Sequence, residues 1–156
     1  MLDTADAALW YALHRFTARY WFEVDFNGGN NAHAFYLPGA LFAVGDNRFD
    51  GQEKIRAFYA KRRKRGPITA RHLVSNLQVL PIDDRQVRLI GVLSLYYAQG
   101  HPPHRGTHPP MLVADIDAEC RRGDGDHDWL YQSHILSPLF IGNAIPISVS
   151  IDTERL

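Results

Sequence analysis

The stretch Arg71-His72-Leu73-Val74-Ser75-Asn76-Leu77-Gln78-Val79 has the alternating pattern of a β-strand with two different faces. Side chains alternate across a strand, so one face is predicted to carry a polar set, which is His72, Val74, Asn76 and Gln78. The opposite face is nearly all apolar and suits a core, with Leu73, Ser75, Leu77 and Val79. An imidazole and two carboxamides are costly to bury without partners. The stretch is therefore either the wall of a pocket or a half-exposed strand of an ordinary sheet.

The composition indicates a single soluble globular domain. The chain has 156 residues, of which 46% are hydrophobic and 22% are charged, and both fractions are ordinary for such a domain. Lysine plus arginine equals aspartate plus glutamate, at 17 each. The chain therefore has no net positive charge that would attract nucleic acid, and no nucleic-acid partner is predicted.

Cysteine usage and the N-terminal residues favour a cytoplasmic protein. The single cysteine, Cys120, cannot form an internal disulfide, which fits a reducing compartment. The N-terminus carries Asp3 and Asp6 rather than a basic and then apolar signal pattern. No apolar run approaches the length that spans a bilayer, so no membrane association is predicted.

The first part of the chain has helical periodicity over residues 4–26. Large apolar residues recur on one broad face at 100° per residue, and Trp21 belongs to that face. Asp25 lies about 40° beyond Trp21 on the same helical wheel, so its carboxylate faces either a cavity or water. The sequence Asn27-Gly28-Gly29-Asn30 ends the helix, because glycine readily adopts positive φ.

A short helical piece is predicted in 31–37, and two short strands are predicted at 40–45 and 48–50. Asp50-Gly51-Gln52-Glu53 then has the pattern of a capping box that starts a second helix. That helix ends in the basic run Lys61-Arg62-Arg63-Lys64-Arg65-Gly66. We interpret the run as cations at a helix C-terminus rather than as a phosphate or nucleic-acid contact.

The remainder of the chain is rich in predicted strands. Their ranges are 72–82, 86–99, 111–119 and 129–136. Long antiparallel hairpins that follow a helix-rich first half indicate the α+β class. In the apolar extension 141–156, Ile147, Val149 and Ile151 alternate with serines, so the extension is predicted as an edge strand or an interface arm.

Motifs for metals and nucleotide cofactors are weak or missing. His101, His104 and His108 lie in a Pro/Gly-rich loop whose backbone is not set to converge them on zinc. We interpret them as surface-loop histidines and predict no metal site. The chain has no Gly-x-Gly-x-x-Gly, no phosphate loop and no Gly-x-Ser-x-Gly elbow, so no cofactor is predicted.

His72 and Asp25 form a possible acid–base pair. An imidazole gives or takes protons near neutral pH, and a carboxylate held against it fixes its tautomer and stabilises its charged form. Tyr20 and Asn76 would then donate hydrogen bonds to a substrate oxygen. The alternative is a satisfied core histidine and a solvated aspartate at a helix end.

The order of these features resembles a known superfamily. An aromatic helix ends in an acid near Asp25, and is followed by Phe49-Asp50-Gly51-x-x-x-Ile55-x-x-Phe58-Tyr59, by Arg71-His72-Leu73-Val74-Ser75-Asn76, and by Gly123-Asp-Gly with Trp129. Over roughly residues 5–140 this resembles the SnoaL-like branch of the nuclear-transport-factor-2-like superfamily. The resemblance implies a cone-shaped α+β barrel, in which a curved mixed or antiparallel sheet wraps around the long N-terminal helix and encloses an apolar pocket.

The resemblance also implies function. The superfamily includes scytalone dehydratase, ketosteroid isomerase and polyketide cyclases, which implies a metal-independent lyase or isomerase acting on a small apolar or aromatic ligand. The match implies that Asp25 and His72 are the catalytic pair. The predicted substrate-binding residues are Tyr20, Trp21, Asn76, Tyr96 and His134, although His134 stands where relatives often have an arginine. Homodimers are common among such proteins, and a trimer is an alternative. The runner-up function is a non-catalytic subunit resembling the small subunit of an aromatic-ring-hydroxylating dioxygenase.

Overall fold

The computed structural model describes residues 4–106, 108–124 and 129–142. Two α-helices, one short 3₁₀ helix and six strands follow one another in this part of the chain. In order they are α1 (Thr4–Asn27), the 3₁₀ helix (Ala32–Phe35), β1 (Tyr36–Val44), β2 (Asn47–Asp50), α2 (Gln52–Arg63), β3 (Ile68–Asp83), β4 (Gln86–Gln99), β5 (Leu112–Arg122) and β6 (Trp129–Ile141). Each of these elements was predicted in type, and every strand except β4 extends beyond its predicted range at one end or both.

The six strands form one curved sheet in the order β2-β1-β6-β5-β4-β3. All neighbours pair antiparallel except β1 and β6, which run parallel, so the sheet is mixed. The predicted α+β class, with a curved sheet around a long first helix, is confirmed. Neither helix of the described residues combines the length and the hydropathy needed to cross a membrane.

The core lies between α1 and the inner face of the sheet. The buried face of α1 carries the apolar residues that its 3.6-residue period predicted, which are Leu13, Phe16, Tyr20, Trp21 and Val24. Over residues 87–95 of β4 and 112–120 of β5 every second residue is buried, as the period of two requires. The interior between helix and sheet is rich in aromatic rings.

A bulge divides β3 into two parts. The pairing with β4 shifts register between Ser75 and Gln78, and Asn76 takes a φ of 53°. A bulge adds one residue to a strand and reverses the faces that follow it. His72 therefore faces inward before the bulge, and Leu77 faces inward after it.

The predicted apolar face of β3 is consequently wrong at its beginning. Leu73 is 50% exposed and Ser75 is also exposed, because both precede the bulge. Gly91 on β4 accommodates the bulge, since a Cβ there would lie 3.1 Å from Leu77 Cδ1 and 3.2 Å from the Ser75 carbonyl oxygen. Its lack of a side chain allows this close approach.

The predicted capping box at the start of α2 is also wrong. Asp50 remains in β2, opposite Leu41. Gly51 is the N-cap, with a φ of 87° and no side-chain hydrogen bond. The chain turns at Gly51 because glycine adopts this backbone conformation without strain. The predicted arm 141–156 lies, from residue 143 onward, outside the described residues.

Candidate active site

Helix α1 meets strand β3 at Asp25 and His72. Asp25 Oδ1 lies 2.6 Å from His72 Nδ1, and Asp25 Oδ2 accepts a hydrogen bond of 2.8 Å from the His72 backbone N–H. The side chains of His72 and Asp25 are only 8% and 5% exposed. The structure thus brings together the two residues that the sequence suggested as an acid–base pair.

This double hydrogen bond determines the tautomer of His72. A carboxylate only accepts hydrogen bonds, so Nδ1 carries a hydrogen and donates it to Asp25. In the neutral ring, Nε2 is then an acceptor with a lone pair. Burial lowers the pKa of His72 below its ordinary value, although the hydrogen bond with Asp25 acts in the opposite direction and the charge of Arg62 adds to the lowering. The neutral, basic form therefore predominates at neutral pH.

His72 lines an internal cavity of about 50 Å³. Most of the cavity wall is apolar, and the lining residues are Trp21, Val24, Phe42, Val44, Phe58, Tyr59, Arg62, His72, Leu93, Leu95, Tyr97, Leu112 and Leu136. The indole of Trp21 stacks on the imidazole, with 4.2 Å between centroids and an interplanar angle of 14°. In this state the cavity has room for a few water molecules, and a ring-sized ligand requires movement of Phe58 and Tyr97, which are only half-buried.

A chain of buried hydroxyl groups runs behind another part of the cavity wall. Tyr59 Oη lies 2.6 Å from Tyr20 Oη, Tyr36 donates a 2.8 Å hydrogen bond to Tyr20, and Tyr36 Oη lies 2.9 Å from His134 Nδ1. Because the Tyr36 hydrogen is used by Tyr20, its oxygen accepts from His134. Since Tyr20 accepts from Tyr36, we assign its own hydrogen to Tyr59. Tyr59 is a lining residue of the cavity, and the described residues supply no acceptor for its hydroxyl hydrogen.

The tyrosines of this chain are neutral donors. Burial raises the pKa of Tyr59 to about 12, and it raises those of Tyr20 and Tyr36 further above their ordinary value. Chains of hydrogen bonds polarise one another and strengthen the terminal donor. The Tyr59 hydroxyl can therefore stabilise negative charge on an oxygen bound in the cavity.

The structure distributes the predicted substrate-binding residues over several locations. Trp21 lines the cavity, and Tyr20 and His134 lie behind it in the hydroxyl chain. Asn76 is exposed at the bulge and lines an open groove of about 730 Å³ between α1 and β3, not the cavity. Tyr96 is 39% exposed on the outer face of β4, and the next residue, Tyr97, lines the cavity instead.

Sequence reasoning missed Tyr36, Tyr59 and Arg62 as components of the site. Tyr59 was assigned only to the motif that carries the family resemblance, and Arg62 only to a basic helix end. The signal that could have identified Arg62 is the spacing of Ile55, Tyr59 and Arg62, which share one helical face. These three are the buried residues of α2.

The loop histidines lie apart from the cavity. His104 Nε2 is 2.8 Å from Thr69 Oγ1, and His108 Nε2 is 3.1 Å from the Arg105 carbonyl oxygen. Within the part of the chain that the structure describes, no three His, Cys, Asp or Glu side chains converge as metal ligands would. Cys120 is fully buried, and burial raises the pKa of its thiol, so the thiolate is scarce.

Comparison with known proteins finds solved structures that are similar to this chain. No family model matches the chain, and no curated protein matches it in sequence. A candidate scytalone dehydratase from Novosphingobium aromaticivorans is similar with a TM-score of 0.75 at 11% identity, over 95% of this chain and 95% of that one. The beta subunit of a candidate aromatic-ring-hydroxylating dioxygenase from the same organism has a TM-score of 0.75 at 14% identity, over 96% of this chain and 99% of that one.

A third similar structure is a protein of unknown function with a cystatin-like fold from Nostoc punctiforme. Its TM-score is 0.68 at 14% identity, over 94% of this chain and 98% of that one. The chain has the cystatin-like α+β fold of these structures, and its structural neighbours are SnoaL-like and nuclear-transport-factor-2-like proteins. The resemblance of fold that the sequence predicted is confirmed. This fold occurs both in a candidate enzyme and in a candidate subunit, so the activity has to be inferred from the site.

Proposed function

We propose that this protein is a cofactor-independent lyase or isomerase, of dehydratase or cyclase type, that acts by general acid–base catalysis on a small cyclic or aromatic substrate. The observation that carries the proposal is the double hydrogen bond of Asp25 to His72. It leaves Nε2 as a proton acceptor on a residue that lines a largely apolar cavity. A base of this kind is most effective when its pKa lies near the working pH.

The proposed reaction begins at a carbon next to a carbonyl group. His72 Nε2 removes the proton, and the electron pair of the C–H bond moves to the carbonyl oxygen to form an enolate. Asp25 stabilises the imidazolium that results, and the Tyr59 hydroxyl donates to the enolate oxygen. The enolate then expels a β-hydroxyl group, which takes the proton from His72 and leaves as water, or it is protonated at another carbon.

A chromogenic proton-transfer reaction tests the base without knowledge of the natural substrate. A nitrobenzisoxazole loses its ring C–H proton to a base, its N–O bond breaks, and a coloured phenolate forms. The wild type is expected to accelerate this reaction roughly 10²- to 10⁴-fold relative to His72→Ala. The rate should rise with pH through the lowered pKa of His72 and stay level above it, because only the neutral ring accepts a proton.

The matched control is His101→Ala, which makes the same substitution in the exposed loop and should leave the rate unchanged. Circular dichroism would establish that both variants are folded. If folded His72→Ala opened the probe as fast as the wild type, His72 would not be the base.

The alternative function is a non-catalytic subunit. It is favoured by the match to the dioxygenase beta subunit, which covers 96% of this chain and 99% of that one. In that case Asp25 and His72 would serve only to join α1 to β3. An iron–sulfur protein retained during purification, together with no proton transfer by the purified chain, would favour this alternative.

Self-association as a homodimer is part of the proposal. The outer face of β3 and β4 exposes several large apolar side chains, which are Leu73, Leu80, Ile82, Ile90 and Tyr96. Contiguous exposed apolar surface often marks an interaction site. Light scattering coupled to size-exclusion chromatography would give the number of chains in the particle.

A further inference from the structure

Arg62 is a buried cation that faces the cavity from α2. Its residue exposure is 9%, and it lies on the same cavity wall as Tyr59. Among the described residues, its guanidinium forms no ion pair and no side-chain hydrogen bond. Guanidinium groups are hardly ever buried without a partner.

Arg62 has no direct ion-pair partner among the described residues. Asp25 is a negative charge that acts on Tyr59 together with Arg62, but its two oxygens accept hydrogen bonds from His72 and do not contact the guanidinium. The neighbouring arginine on the helix, Arg63, donates to the Gly28 carbonyl oxygen at 3.1 Å. The hydrogen-bonding positions of the Arg62 guanidinium are thus left for a ligand of the cavity.

Two side chains of the cavity wall carry a hydrogen-bond donor for which the described residues supply no acceptor. Trp21 lines the cavity, and its buried Nε1–H has no partner among the described residues. The Tyr59 hydroxyl supplies another donor, whereas the acceptor assigned to this wall is His72 Nε2. Because an unsatisfied buried donor is costly, this arrangement fits a ligand that brings accepting oxygens.

We infer that the ligand of this cavity is a small organic anion, whose carboxylate or phenolate oxygen is bound by Arg62 with help from the Trp21 indole N–H. The planar guanidinium fork matches a carboxylate, and the apolar wall would hold the carbon skeleton. Since it concerns the substrate of the same cavity, this inference rests on the proposed function and specifies its substrate class. The anion at Arg62 would place the reacting carbon near His72.

Calorimetric titration with benzoate and benzamide tests the inference, because the two probes have nearly the same shape and differ in charge. Wild-type protein is expected to bind benzoate at least roughly tenfold more tightly than benzamide. Arg62→Met should weaken benzoate binding roughly 10- to 100-fold and should change benzamide binding little. Arg62→Lys, which keeps the charge but not the fork, should retain part of the preference for benzoate.

The control variant is Lys61→Met, which removes a positive charge from an exposed position of the same helix and should bind benzoate like the wild type. Trp21→Phe provides a second variant and should weaken benzoate more than benzamide.

Three outcomes would overturn the inference. They are the lack of benzoate binding to the wild type, equal affinity for the two probes, and an unchanged benzoate preference in Arg62→Met. None of these outcomes depends on proton transfer. Failure of the nitrobenzisoxazole assay with normal benzoate binding would instead refute the proposed reaction and leave anion binding intact.

Discussion

The surroundings of His72 and His134 show how two buried histidines of one cavity region acquire different roles. Burial lowers the pKa of both rings, and each stacks on an aromatic side chain, Trp21 for His72 and Tyr131 for His134. They differ in the group that binds Nδ1. His72 has the carboxylate of Asp25 at 2.6 Å, whereas His134 has the hydroxyl of Tyr36 at 2.9 Å.

The difference determines which ring can accept a proton. Protonated His72 is compensated by a negative carboxylate, so its charged form is accessible during a reaction. Protonated His134 has only a neutral hydroxyl beside it, and burial lowers its pKa to about 3. His134 therefore remains neutral and serves as a donor to the hydroxyl chain, while His72 is suited to act as the base.

The largest expected effect comes from removing the carboxylate that distinguishes the two sites. Asp25→Asn keeps the size of the side chain but loses the charge that stabilises protonated His72. The rate of nitrobenzisoxazole opening is expected to fall by about 10²-fold or more. Stopped-flow or plate absorbance of the coloured phenolate measures it.

The comparison variant is His134→Asn, which retains an amide donor near the position of Nδ1. It should leave the rate nearly unchanged. A large loss of rate in His134→Asn, with little loss in Asp25→Asn, would reverse the roles assigned to the two histidines.

A second prediction concerns stability in acid. The folded pKa of His134 is about 3, below the ordinary histidine value, so the folded state binds fewer protons than the unfolded state. The stability that His134 contributes as a neutral ring is fully present above its pKa in the unfolded state. It is lost as the pH falls towards its pKa in the folded state. When the pH is lowered from about 7 to about 5, the titration of His134 should lower the free energy of unfolding of the wild type by about 2 kcal/mol.

Urea unfolding of wild type and His134→Asn at both pH values measures this contribution. The variant should lose about 2 kcal/mol less than the wild type over the same interval, and the remaining dependence should come largely from His72. Parallel stability curves for the two proteins would mean that His134 titrates normally and is not held neutral by the fold.

The smallest effect is expected at Asn76, on the strand that carries His72. Asn76→Val should lower the unfolding free energy by about 1 kcal/mol, because a β-branched residue tolerates positive φ poorly. Asn76→Gly should change it by less than about 0.5 kcal/mol. Thermal or urea unfolding measures both variants. Asn76→Gly should open the probe at the wild-type rate, and a tenfold loss would restore Asn76 as a substrate-binding residue.

Periodicity accounts for the parts of the structure that were predicted correctly. The apolar period of α1 predicted its extent, and it placed Asp25 at the edge of the buried face, because each residue advances by 100° on a helix. Whether Asp25 faced a cavity or water was left open by this pattern. The alternation of β3 likewise separated His72 and Val74 from Leu73 and Ser75, and the family resemblance implied that the face with His72 turns inward. Local patterns of this kind require no knowledge of the partner element.

The wrong predictions concern features that depend on a neighbouring strand or helix. The bulge at Asn76 depends on the space that Gly91 leaves on β4, which the sequence of β3 does not contain. On β4 itself, the run from Val87 to Tyr97 is apolar at almost every position, so the pattern does not show whether Tyr96 or Tyr97 faces inward. Arg62 was overlooked because a charged residue at a helix end usually meets water.

The hydroxyl chain from His134 to Tyr59 shows how one ring can set the polarity of a distant wall. A neutral imidazole carries a single N–H, and in His134 it lies at Nδ1, next to the Tyr36 hydroxyl. Tyr36 therefore donates to Tyr20, and Tyr20 donates to Tyr59. The tautomer of a histidine on β6 thus decides which way a hydroxyl on α2 is oriented, without any charge in the interior.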